Sequence, residues 1–323
     1  MRRLPAAGLA ALLGAALGCA APPTQSLVEQ VREAQQLRRH DDYHRFSSHE
    51  HYRAGASIEL YLGVARELGI YRTLFLPTGV GPDNAGYREN MAELLAVQQR
   101  YPERILAFAT IDEADPHAAE ILEGAVAGGA RGLKLIGGHP HFYDEPLDSP
   151  NMYRVYAVVR RHRLPVLVHA SLTKIPELRG QIERVLRDFP DVTIIAAHYA
   201  ETAPNLAEAD ELFAAHPNLW MDLSMGGGLK RYEKMISADP AAFRDFIVRH
   251  QDRLLWGSDV ILRSDSTAEF LRHRTCKDFD ILEQPLYVDD DLFPGELRPG
   301  LNLPREVLEK IYDANPQRLF GPP

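Results

Sequence analysis

From position 46 onward, short apolar runs alternate with stretches whose apolar residues recur at helical spacing. The runs lie at 46–51, 73–76, 105–109, 132–136, 166–169, 192–198, 219–223 and 254–258. After the first, Phe46-Ser47-Ser48-His49-Glu50-His51, they are nearly continuous in apolar residues, the pattern of strands buried on both faces of a parallel sheet. Between them the periodicity predicts helices at 58–68, 90–101, 116–127, 153–161, 182–189, 205–215 and 241–250, with a last one at 304–319. Gly69 stops the first of these helices, and Pro116 sits in the first turn of the third. Eight strand–helix units predict an α/β fold that closes as a (β/α)8 TIM barrel. Two segments stand outside the repeat. Ser26 and Glu29 have capping-box spacing and open a polar helix at 26–39, expected on the barrel's outside or bottom. The stretch 261–303, with several Pro, Gly and Asp, follows the eighth strand and is expected to cover the face at the strands' C-terminal ends.

A chain of 323 residues, 45% hydrophobic and 25% charged, can build one large core. A net charge of −9, with no basic stripe interleaved with aromatics, argues against a nucleic-acid partner. A small-molecule substrate is expected instead, and a homo-oligomer stays open. Met1-Arg2-Arg3 followed by an apolar stretch at 6–17 reads as a signal peptide over 1–18, too short to span a membrane. Leu17-Gly18-Cys19-Ala20 resembles a lipobox, although Ala16 stands where Leu is commonest. The expectation is export with Cys19 lipidated, which anchors the chain to a membrane without a spanning helix. The alternative is plain cleavage and a periplasmic or secreted chain. Residues 19–43 then form a spacer and helix, and 44–323 form the barrel domain. Cys276, between Arg274 and Lys277, is left as an incidental loop cysteine with no disulfide partner.

The chemistry-bearing residues sit where the runs end. His49 and His51 are two apart on the first strand, so both face one side and can chelate one ion. Alone that pair is a weak signal in a chain with 13 histidines. His169, His198 and Asp259 also close apolar runs, at the fifth, sixth and eighth strands. Parallel strands gather these ends on one face.

Five ordered elements carry a resemblance to the amidohydrolase superfamily, specifically its amidohydrolase-related (amidohydrolase 2) family. They are Ser48-His49-Glu50-His51, Gly132-Leu133-Lys134-Leu135, Leu164-Pro165-Val166-Leu167-Val168-His169, Ile194-Ile195-Ala196-Ala197-His198 and Leu255-Trp256-Gly257-Ser258-Asp259. The tail from Leu303 to Phe320 is similar as well. The resemblance implies that His49, His51, His169 and Asp259 hold one divalent ion, most often zinc. It implies that His198 and Asp259 are catalytic, with Asp259 passing a proton from water to a leaving group. Two departures are Ser47, where the family often has Asp or Glu, and Tyr199-Ala200-Glu201, where it shows a Gly-rich turn. In some relatives a strand-four lysine bridges two metals; here Lys134 is not expected to, and one ion is expected.

His139, His141 and Lys134 are candidates for substrate binding near the end of strand four. Glu50 points away from the histidine pair and reads as structural. Asp222, on strand seven, is a weaker candidate. Gly226-Gly227-Gly228 lacks the Lys-Ser/Thr of a phosphate cradle and reads as a flexible loop. Arg263, Asp265 and His273 fall in the last insertion and are not placed. The expected activity is metal-dependent hydrolysis of an amide, ester or lactone by an activated water. The alternatives are non-oxidative decarboxylation of an aromatic or unsaturated acid and a degenerate surface binding protein.

Overall fold

The computed structural model describes residues 25–38, 40, 42–78, 86–139, 141, 145–203 and 205–322. The signal segment and Cys19 lie outside them. Helix α1 (Leu27–Gln36) precedes the barrel and is capped by Ser26 and Glu29 reciprocally. The barrel strands are β1 (Arg45–Tyr52), β2 (Ile70–Pro77), β3 (Ile105–Ala107) with its continuation β4 (Ala109–Thr110), β5 (Leu133–Leu135), β6 (Val166–Val168), β7 (Ile194–Ala196), β8 (Leu219–Asp222) and β9 (Leu254–Leu255). All neighbours pair in parallel, in chain order. The third strand breaks at Phe108, so β3 pairs with β2 and β4 with β5. The ring closes where the Ser48 amide donates to the Trp256 carbonyl at 2.8 Å. Beyond that point β10 (Ile261–Leu262) runs parallel to the end of β1.

The connecting helices are α2 (Ile58–Glu67), α3 (Tyr87–Arg100), α4 (Ala118–Ala127), α5 (Pro150–His162), α6 (Leu178–Asp188) and α7 (Leu206–Ala215). Two helices, α8 (Leu229–Ala238) and α9 (Pro240–His250), join β8 to β9, where the sequence suggested one. The chain ends with α10 (Ala268–Glu283), a hairpin of β11 (Leu286–Val288) and β12 (Leu297–Pro299), and α11 (Arg305–Glu309). A π-turn at Lys310–Ala314 leads into α12 (Asn315–Phe320).

The main core lies between strands and helices. A second apolar layer fills the barrel itself, with Phe46, Leu74, Phe108, Leu167, Ile195 and Leu255 pointing inward. Phe320 of α12 plugs this layer from below, 5.4 Å from the Phe46 ring and 5.9 Å from the Phe108 ring. The opposite end is therefore the one free to hold polar groups.

One expectation is corrected. Only the first part of 261–303 covers the C-terminal face of the strands. Helix α10 then runs down the outside of the barrel, and its Glu283 meets Arg45, at the start of β1, at 2.8 Å. The Arg45 guanidinium is buried there and needs a carboxylate partner, which explains the descent. The hairpin packs on α1 through Arg32–Asp290 and through Gln35, whose amide bonds the Val288 backbone.

Candidate metal centre

Pairing of β1 with β2 slips between Ser47 and Glu50, which brings His49 and His51 inward above Phe46. Their Nε2 atoms lie 3.3 Å apart. Asp259 Oδ1 lies 3.4 Å from His49 Nε2 and 3.2 Å from His51 Nε2. Ligands about 2.1 Å from a tetrahedral ion stand about 3.4 Å from one another. The three atoms therefore form one face of such a tetrahedron. Two glycines permit the approach. A Cβ on Gly257 would come within 2.5 Å of the His49 amide nitrogen. A Cβ on Gly226, whose φ is +45°, would come within 1.8 Å of Asp259 Oδ2.

Asp222 organises the layer beneath. Its Oδ2 accepts from His49 Nδ1 at 2.8 Å. Its Oδ1 accepts from the His198 amide at 3.0 Å, the Ser224 amide at 3.1 Å and the Ser224 hydroxyl. A carboxylate only accepts, so His49 carries its proton on Nδ1 and leaves the Nε2 lone pair free. His49, His198 and Asp222 also bring ligand atoms together, but that group is fully enclosed and its His49 nitrogen is already spoken for by a proton. Among the described residues, the group that can hold an ion is His49, His51 and Asp259.

The electrostatics suit a cation. Burial pushes the His49 imidazole down to about 4, with Asp222 opposing. Burial also lowers His51 and His169. Burial alone would raise Asp259, but the adjacent His49, His51 and His198 hold it well below the usual carboxylate range. The donor set at neutral pH is thus neutral imidazole and ionised carboxylate, the forms a divalent ion needs. His51 Nδ1 and His169 Nε2 are buried without a hydrogen-bond partner among the described residues.

His198 follows β7 in a rare backbone state. His198, Tyr199, Ala200 and Glu201 all have φ between 51° and 58°. Left-handed backbone costs about 1–2 kcal/mol per residue without glycine. The turn is held by Tyr199, buried against Tyr232 and Phe243, and by the Tyr232 hydroxyl, which donates to the His198 carbonyl at 2.7 Å. His198 Nδ1 meets the Ser224 hydroxyl oxygen at 2.9 Å and the Ser224 carbonyl at 3.2 Å; the hydroxyl gives its proton to Asp222, so Nδ1 is the donor and Nε2 turns toward Asp259 Oδ2, 4.0 Å away. Asp259 and Gly227 separate two clefts of about 340 and 440 Å³. The smaller contains His139, His169 and His198; the larger contains Arg263, Asp265 and Phe270.

A family model described as Amidohydrolase matches residues 25–321. The chain belongs to this amidohydrolase family. No match is found among curated proteins. Solved structures of the same fold include an uncharacterised TIM-barrel protein from Bordetella bronchiseptica, at TM-score 0.55 and 20% identity over 81% of this chain and 82% of that one. A 5-carboxyvanillate decarboxylase from Novosphingobium aromaticivorans, complexed with manganese, matches at TM-score 0.54 and 13% identity over 87% and 96%. An amidohydrolase from Burkholderia multivorans matches at TM-score 0.56 and 13% identity over 86% and 99%.

Within this amidohydrolase barrel the other candidates fall as follows. His169 lines the smaller cleft with its ring 4.9 Å from His198, but it stands outside the three-residue group whose ligand atoms lie within 4.8 Å. His139 lines the same cleft, whereas His141 is exposed and lines neither. Lys134 points into the barrel, is enclosed, and lines neither cleft; burial lowers its ammonium to about 8. Glu50 faces away from the histidines, accepting from the Ser258 and Val260 amides at 3.0 and 2.7 Å and from the Ser47 hydroxyl. Gly226–Gly228 form a tight turn against Asp259. His273 is on the surface, paired with Asp291. Cys276 lies on α10 and not in a loop, and burial pushes its thiol up to about 12. Sequence reasoning underrated Asp222 and missed Ser224 and Glu201. The only signal for Ser224 was its place two residues after Asp222, the last residue of β8, and so on the same face as Asp222.

Proposed function

We propose that this chain is a metal-dependent hydrolase that cleaves an amide, ester or lactone. The observation that carries the reading is the triangle of His49 Nε2, His51 Nε2 and Asp259 Oδ1, with sides of 3.2–3.4 Å, whose Asp259 lines two clefts. His49, His51 and Asp259 would hold the ion, with His169 beside them. A divalent ion bound there supplies Lewis acidity at the floor of the cleft. Asp259, kept ionised, accepts a proton from the attacking water and returns it to the leaving group. His198 Nε2 faces the same space and orients the substrate's carbonyl. The metal's identity is part of the proposal: zinc suits the N and O donors, and the manganese of the decarboxylase of like fold makes Mn²⁺ the second ion to test. Export and lipidation at Cys19 also belong to it, and membrane fractionation of a Cys19→Ala variant tests them.

A second reading, decarboxylation of an aromatic acid, draws support from that same neighbour. Hydrolysis is placed first because an ionised Asp259 can take a proton from water, but the same group, once protonated, could deliver that proton to carbon, so the two readings are separated by substrate. Metal-loaded protein screened against esters, lactones and amides, with carbon dioxide release from hydroxybenzoates in parallel, separates the two. Asp259→Asn should abolish turnover with the fold intact; near-wild-type turnover in that variant would sink the mechanism.

A further inference from the structure

The smaller cleft has a charged wall that the metal residues do not use. Glu201, 5% exposed, accepts on Oε1 from Lys174 Nζ at 3.0 Å and from Arg231 Nη2 at 3.5 Å. Lys174 and Arg231 keep 45% and 42% of their side chains in solvent. Ammonium and guanidinium carry three and five donor hydrogens. Lys174 spends one on Glu201, and the hydrogen bonds of Arg231 among the described residues all leave from Nη2. Two cations against one carboxylate leave the wall net positive, with donors to spare. In the other cleft Arg274 is already committed, to Asp278 at 2.9 Å and to the Ser258 carbonyl at 2.8 Å.

The backbone places this wall deliberately close to the reacting groups. In a single tight helical turn, residues three apart share a face. The left-handed turn therefore sends His198 and Glu201 into the cleft together, while Tyr199 packs into the core. His198 faces Asp259, and Glu201 fixes the two cations opposite.

We propose that Lys174 and Arg231, held in place by Glu201, bind a carboxylate of the substrate, so that the enzyme acts on a small organic acid. The placement of the reacting bond over Asp259 rests on the hydrolase reading; the carboxylate grip does not. A cleft of about 340 Å³ suits a ligand the size of a substituted benzoate.

The test is calorimetric titration of metal-loaded protein with isophthalate and with 3-carbamoylbenzoate, its neutral isostere at one carboxylate. The metal can take one carboxylate of either probe, so only a second anion site separates them. Wild type should bind isophthalate about tenfold more tightly, with the margin shrinking as salt rises. Lys174→Met/Arg231→Met should bind both probes equally, and Lys174→Arg should keep the preference. Equal binding by wild type, no binding of either probe by wild type, or a preference that survives the double substitution would overturn the proposal. Thermal melts check that the variants are folded. A wild type that shows the preference but hydrolyses nothing would sink the hydrolase reading alone.

Discussion

Asp222→Asn probes the centre without touching a ligand. Asp222 Oδ1 already receives three donors, from the His198 amide, the Ser224 amide and the Ser224 hydroxyl. An asparagine must keep its carbonyl oxygen there, which turns its NH2 toward His49 Nδ1. That nitrogen would then accept, and the imidazole proton would move to Nε2. Nε2 is the atom 3.3 Å from His51 Nε2 and 3.4 Å from Asp259 Oδ1. A proton there removes the lone pair an ion needs. Loss of such a supporting carboxylate typically weakens metal affinity about 10–100-fold. At about 1.4 kcal/mol per factor of ten, this is about 1.4–2.8 kcal/mol of binding. The assay is competition of metal-free protein against a fluorescent chelator of known affinity, with melts of the metal-free forms as a control for folding. Affinity equal to wild type in a folded Asp222→Asn protein would refute the tautomer argument.

Three further outcomes follow from other parts of the molecule. Gly226→Ala should cut kcat about 100-fold, because its Cβ would fall 1.8 Å from Asp259 Oδ2 and displace the carboxylate; unchanged kcat with unchanged circular dichroism would contradict the contact. Phe108→Ala should cost about 3–5 kcal/mol in urea unfolding, since the ring is fully buried in the barrel's lower layer. Glu233 of α8 is buried beside Asp289, with Lys277 and Arg298 nearby, and burial and then the Asp289 carboxylate raise it to about 8. Its folded pKa exceeds the ordinary 4.5, so the folded state holds the proton longer and stability should fall as pH rises from about 5 to 8. Tm measured across that window should decline in wild type and decline less in Glu233→Gln; identical slopes would exclude this group.

The barrel was legible because its strands are apolar on both faces and its helices are amphipathic. His49, His51, His198 and Asp259 were legible because each ends such a run. What escaped detection has physical causes. Helix α8 has Leu229, Tyr232 and Ile236 at helical spacing, but three glycines before it read as a loop. The left-handed turn at His198–Glu201 contains no glycine, so nothing local announced that Glu201 enters the cleft. The descent of α10 depends on a pairing between Arg45 and Glu283, 238 positions apart, which no local pattern encodes. Asp222 was underrated because its role is to receive hydrogen bonds from three other residues, and only the folded barrel brings two of them, His49 and His198, to it.

The central claim is that His49, His51 and Asp259 bind one divalent ion. The most direct measurement is the metal content of protein loaded with Zn²⁺ or Mn²⁺ and desalted, for wild type and for His49→Ala/His51→Ala. Wild type should retain one equivalent per chain, and the folded double variant should retain none. A wild type that retains no ion, or a double variant that keeps its full equivalent, would contradict the account.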